Sequence, residues 1–172
     1  MTNQKPYPKS SVVGVLFNED RSQVLLIKRR DVPVWVIPGG GIDLGETPEA
    51  AIIREFFQET GLTVDIKRKV AFYTPINRLS YPTHLFECTI VKGKLTTGDE
   101  TQGIDFFPLT KLPEPIFFIH QDWIEEARIS LNYVIQKPLS QITYFNLIKY
   151  FLFHPIQVLR LLLSRCGVPF NR

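Results

Sequence analysis

The sequence predicts a mixed α+β domain, with helices covering a largely antiparallel or mixed sheet. Three observations carry that prediction. Short β-branched runs open the chain, a strongly punctuated helix follows a glycine-rich loop, and further strand-like runs lead to a second helix.

Ser11 to Phe17 and Gln23 to Lys28 are the opening runs. The polar stretch Asn18-Glu19-Asp20-Arg21 separates them, so the pair predicts a hairpin. A loop rich in Pro and Gly then spans Asp31 to Gly45. Thr47 suits an N-cap, Pro48 the first helical position, and Glu49 the positive end of the helix dipole. Gly61 stops that helix, leaving Thr60 as its last residue. Leu62 to Thr74, Thr83 to Lys92 and Ile104 to Pro108 read as further strands, and Phe118 to Tyr133 as the second helix. After Pro138 an apolar, basic tail predicts two helical pieces broken at His154-Pro155. Residues 1–137 are therefore expected to form one domain and 138–172 a helical extension.

A chain of 172 residues is long enough to bury a real core, and 44% hydrophobic with 22% charged residues is ordinary for a globular protein. The formal net charge of +3 suits an anionic substrate but is too small to argue for duplex nucleic acid. Cys88 and Cys166 lack metal-ligand spacing, which points to a reduced, cytoplasmic protein. No secretory h-region and no uninterrupted apolar span of membrane length is visible.

The chemistry concentrates in Gly39 to Leu62, GGGIDLGETPEAAIIREFFQETGL. At about 100° per residue, Glu59 falls within about 40° of Glu55, and Gln58 about 60° to the other side. Ala50, Ile53 and Phe57 fall roughly opposite and are expected to face the core. Two acids at i and i+4 repel mildly and usually mark nothing but a solvated face. Here Gly39, Gly40, Gly41 and Gly45 precede the helix, and such a loop can bring backbone carbonyls and helix carboxylates around one point. Hard, oxygen-preferring cations such as Mg²⁺ need that kind of site. Arg54 borders the acidic face and can pair with Glu46, holding loop against helix.

The run Gly40, Glu46, Arg54, Glu55, Phe56, Gln58, Glu59, Gly61, Leu62 resembles the Nudix box, with Gln58 where the family carries Glu. Trp35 to Gly40 and Val24 to Arg29 resemble the segments that lead into it. The resemblance covers roughly residues 10 to 133 and implies an α/β/α sandwich around a mixed sheet. It implies a Mg²⁺- or Mn²⁺-dependent pyrophosphohydrolase that directs water onto phosphorus in a nucleoside diphosphate joined to another group. Divalent ions suit that reaction because they neutralise the diphosphate and lower the pKa of a bound water. By matching positions, Glu55 and Glu59 become metal ligands, with the Gly39 carbonyl and the Gln58 amide oxygen as further candidates. Glu46 and Arg54 become groups that orient them.

Gln58 removes one negative charge from this pattern, which opens a second reading: a nucleotide-binding module without catalysis. Glu100 is the candidate acid from outside the helix, as metal ligand or general base, against a plain solvated loop acid. Arg29 is the candidate phosphate contact and Trp35 the candidate stacking platform, each weighed against an ordinary surface or core role. His84, His120 and Cys88 read as structural. The tail, with Lys149, Arg160 and Arg165 spaced among Phe, Tyr, Leu and Ile, is expected to pack on the domain or on a second copy of the chain. Contact with a membrane surface is the less favoured reading. A small nucleotide is the expected substrate, its selectivity set by loops such as Thr74 to Pro82 and Leu112 to Ile119.

Overall fold

The computed structural model describes residues 10–129 and 132–153. Eight strands and three helices follow in the order β1 (Ser11–Leu16), β2 (Gln23–Arg29), β3 (Trp35–Val36), β4 (Gly39–Gly41), α1 (Pro48–Thr60), β5 (Leu62–Thr74), β6 (Thr83–Gly93), β7 (Thr101–Pro108), α2 (Phe118–Ile129), β8 (Ile135–Pro138) and α3 (Tyr144–Phe153). The strands form a five-stranded sheet, β4-β1-β6-β5-β8, and a three-stranded sheet, β3-β2-β7. The larger sheet is mixed: β1 runs parallel to β6 and β8 parallel to β5, while the other neighbours are antiparallel.

Period-two alternation sorts β1 between two cores. Val13 and Val15 join the α2 side with Trp123, Ile124 and Ala127. Val12 and Leu16 join the α1 side with Ala51, Ile52 and Phe56. Between them Gly14 lets α1 approach closely, since a Cβ there would lie 2.4 Å from the Phe56 ring. Helices thus cover opposite faces of β1, as the sandwich expectation requires.

Four expectations need correction. The predicted hairpin is only an isolated bridge, Phe17 to Val24; both runs are buried on two faces, and each strand joins a different sheet. The loop from Asp31 to Gly45 contains β3 and β4. The second helix ends at Ile129, and β8, which no pattern announced, pairs with β5. The inner face of α1 is also displaced from the one expected. Ala51, Ile52, Phe56, Glu59 and Thr60 are buried, whereas Phe57 is 62% exposed and Ala50 faces solvent. The acids border the packed face instead of opposing it, because the glycine segment, not bulk water, lies above them.

The helix boundaries follow their signals. Thr47 Oγ1 accepts the Ala50 N–H at 3.1 Å, and Gly61 ends α1 with φ of 71°. The tail's first helical piece is α3; its second lies outside the described residues.

Candidate active site

β4 is an edge strand, and its pairing with β1 decides where Gly39 points. The pair Val13–Gly39 is flanked by the bond from Gly14 N–H to the Pro38 carbonyl, 2.9 Å. In that arrangement the paired residue's own N–H and C=O turn away from the neighbouring strand. The Gly39 N–H donates to Glu59 Oε2 at 2.9 Å, across to the C-terminal turn of α1. Gly40 meets the other acid: a Cβ there would lie 2.4 Å from Glu55 Oε1. Only glycine permits the loop to sit this close to a carboxylate.

The two acids are held differently. Glu59 is 8% exposed, and burial, with added repulsion from Glu55 and Glu100, pushes its carboxyl up to about 8 despite the Gly39 bond and the Arg29 charge. This corrects the placement of Glu59 opposite the core-facing side of α1. Burial also raises the Glu55 carboxyl, outweighing Arg54, whose Nη1 donates to Glu55 Oε1 at 2.7 Å. Arg54 ties the loop to the helix as expected. Its Nε and Nη2 grip both Glu46 oxygens at 2.9 Å, and Nη2 also reaches the Gly41 carbonyl.

Gln58 stands on the rim. It is exposed, and its amide oxygen accepts from Arg54 Nη1 at 3.1 Å. The side chain named as a candidate ligand is thus engaged with the orienting arginine, at the outer edge of α1.

Glu100 comes from the far side of the fold into the electrostatic reach of both Glu55 and Glu59. Its loop is clamped by Arg30, which the sequence offers only as half of an Arg-Arg pair at a strand end. The Arg30 N–H donates to the Glu100 carbonyl at 2.9 Å, Nε to the Asp99 carbonyl and Nη2 to the Thr101 carbonyl. Arg29 is paired bidentately with Asp31, Nε at 2.9 Å and Nη2 at 2.6 Å, and its charge is felt at Glu59 and Glu100. Trp35 packs edge-on against Phe107, centroids 4.6 Å apart, and flanks the α2-side core. Its backbone holds Pro115 and Phe117, so its observed contacts are structural.

Two further groups shape the site. Buried His120 accepts the Ile37 N–H on Nδ1 at 3.1 Å, pinning α2 to the segment that delivers Gly39. Burial, with the Arg29 charge, pushes its imidazole down to about 3, so it is neutral and fixed as an acceptor. Thr101, next to Glu100, is fully buried with no partner for its hydroxyl among the described residues. Cys88 is a buried thiol pushed up to about 12, and chemically inert.

Among the described residues no group of three or more acidic, His or Cys side chains is gathered closely enough to hold a metal ion by itself. The donors still fit a hard divalent cation. They are carboxylate and backbone oxygens, and Glu59 is a buried acid whose ionised form is opposed by its neighbours and lacks a full counter-charge. Mg²⁺ needs only one or two carboxylates when a substrate supplies phosphate oxygens.

Comparison with known proteins identifies relatives of the chain and of its fold. The family model described as NUDIX domain matches residues 8–127. A Bacillus subtilis (strain 168) relative, provisionally named an 8-oxo-dGTP diphosphatase, is 38% identical over 108 residues, covering 62% of this chain and 70% of its own. An ADP-ribose pyrophosphatase of Methanocaldococcus jannaschii is 32% identical over 126 residues, 70% of this chain and 73% of that protein. The crystal structure of an ADP-ribose pyrophosphatase from Streptococcus suis 89-1591 superposes with a TM-score of 0.63 at 25% identity, covering 76% of this chain and 98% of that one.

Proposed function

The chain belongs to the NUDIX domain family, and from that premise we propose that it is a divalent-metal-dependent pyrophosphohydrolase acting on small nucleoside diphosphate derivatives. Water attacks one phosphorus of the diphosphate, giving a nucleoside monophosphate and the phosphorylated remainder. The observation that carries this reading is the junction of β4 and α1. There a buried carboxyl, Glu59, is fixed by Gly39 beside Glu55, with Glu100 and Arg29 in electrostatic reach.

Glu55, Glu59 and the Gly39 carbonyl would hold the cation, and Glu100 stands on the opposite wall as a further ligand or general base. A bound Mg²⁺ or Mn²⁺ supplies neutralisation of the diphosphate and acidifies a water molecule. Arg54 and Glu46 fix the Glu55 carboxylate against the loop, so that its orientation is set before substrate arrives. Arg30 fixes the loop that carries Glu100. Arg29, held rigid by Asp31, offers its remaining N–H groups to a phosphate. A purely binding role had rested on Gln58. That side chain lies at the rim with Arg54, while Glu46, Glu55 and Glu59 are kept, which favours hydrolysis.

The test is hydrolysis of ADP-ribose and 8-oxo-dGTP in ¹⁸O-labelled water with Mg²⁺ or Mn²⁺, and with chelator. Metal-dependent release of nucleoside monophosphate, labelled on one product, supports the reading. Tight nucleotide binding without any product would replace it with the binding-module reading.

A further inference from the structure

We infer that α3 docks the protein onto an anionic lipid surface. Tyr144, Phe145 and Ile148 are all more than half exposed, Phe145 at 75%, on a helix whose domain is already in place around it. At about 100° per residue these three positions span roughly one quadrant, with exposed Lys149 bordering it. The chain just before α3 is anchored: Leu139 is buried, and Asn77 Nδ2 donates to the Ile142 carbonyl at 2.6 Å. An anchored base leading to an uncovered aromatic face is an arrangement that presents that face outward.

Charge identifies the occupant. All 17 acidic residues lie at or before Glu126, whereas six Lys or Arg follow it, namely Arg128, Lys137, Lys149, Arg160, Arg165 and Arg172. Arg128 and Lys137 are ion-paired with Glu125 and Glu126; beyond them the part of the chain that carries the exposed apolar face holds only basic charges, and the part up to Glu126 has a net acidic charge. Pairing with a second copy through the same segment would set like charge against like, which costs stability at an interface. Packing back onto the acidic body would cover Phe145 and Ile148, which are open. Aromatic and aliphatic side chains that enter the headgroup boundary while Lys and Arg extend to lipid phosphates satisfy both features. No described helix is long and apolar enough to cross a membrane.

The experiment is flotation of the full-length protein with vesicles of phosphatidylcholine alone and of phosphatidylcholine with phosphatidylglycerol. The protein is expected to float with the anionic vesicles, to stay behind with the neutral ones, and to release as salt is raised. Phe145→Ser combined with Ile148→Ser should weaken that binding by ~10-fold or more, and Lys149→Gln by ~5-fold. Thermal unfolding and nucleotide hydrolysis should both match wild type, because these side chains lie outside the core and the site. Absence of flotation overturns the proposal, as does equal binding to both vesicle types. Light scattering that shows a dimer dissociated by Phe145→Ser would assign the face to a second copy instead. Binding of single-stranded RNA that competes with the anionic vesicles would assign it to nucleic acid.

Discussion

Gln58 is where the chain leaves the Nudix pattern, and its surroundings say what that substitution does. Arg54 Nη1 is shared between Glu55 at 2.7 Å and Gln58 at 3.1 Å. A carboxylate at position 58 would draw Arg54 outward and leave Glu55 freer to meet a cation. Gln58→Glu should therefore lower the Mg²⁺ concentration for half-maximal rate by about 2- to 5-fold, the scale of an exposed ion pair. Stability should change little, since position 58 faces solvent. A Mg²⁺ titration of the rate is the check, and an unchanged or higher requirement would show that Arg54 does not couple the two positions. At this scale the sequence was informative about residue type and less so about exposure. Spacing placed Glu55 and Glu59 together but could not tell that the adjacent strand, β4, would cover Glu59.

Between elements, two contacts decide the shape of the site. The first is Gly40 against Glu55. In Gly40→Ala the new methyl must displace the carboxylate or the loop, so activity should fall by ~10- to 100-fold, as when groups supporting a metal site are lost. Circular dichroism should stay close to wild type, because the clash is with the end of a side chain. Near-normal activity in a folded Gly40→Ala protein would mean that Glu55 is free to choose another position.

The second contact is His120 to the Ile37 N–H. The imidazole is depressed from 6.5 to about 3 in the folded chain, so unfolding takes up a proton between those pH values. Stability from this group is full above about pH 6.5 and is lost as pH falls toward 3, by up to ~1.4 kcal/mol per pH unit. His120→Gln keeps an acceptor for Ile37 and cannot titrate, so its unfolding free energy should fall less steeply from pH 6.5 to 4.5. Denaturant unfolding of both proteins across that window reads the difference directly; parallel slopes would remove His120 as the cause. No sequence signal reveals this pin, because it joins residues 83 positions apart. The same holds for the Arg30 clamp on Glu100 and for β8, a four-residue strand whose sequence Ile-Gln-Lys-Pro shows no regular apolar–polar pattern and which pairs with the edge that β5 offers. Local signals with caps and glycines gave α1 to the residue, whereas the α1 core face was misplaced because it depends on what packs above it.

For the whole molecule, the core reaches past the boundary that composition suggests. Leu139 is 1% exposed within the α2-side core, and Ile142 packs against it. Truncation after Lys137 should therefore cost ~2–5 kcal/mol, the loss of a buried leucine, with a clear fall in Tm. Truncation after Thr143 should keep both Tm and hydrolysis while losing vesicle binding. Equal thermal stability of the two truncated chains would show that Leu139 adds nothing to the core. The central claim, that Glu59 is a buried acid held to meet a cation, calls for one comparison above others: ADP-ribose hydrolysis by wild type and Glu59→Gln, over a range of Mg²⁺, with thermal unfolding of both proteins. Gln can still accept from Gly39, and it cannot ionise to meet a cation. The account predicts a rate lower by ~100-fold or more at every Mg²⁺ concentration, with a metal-free Tm equal to or above wild type. A folded Glu59→Gln enzyme that turns over at the wild-type rate would contradict it.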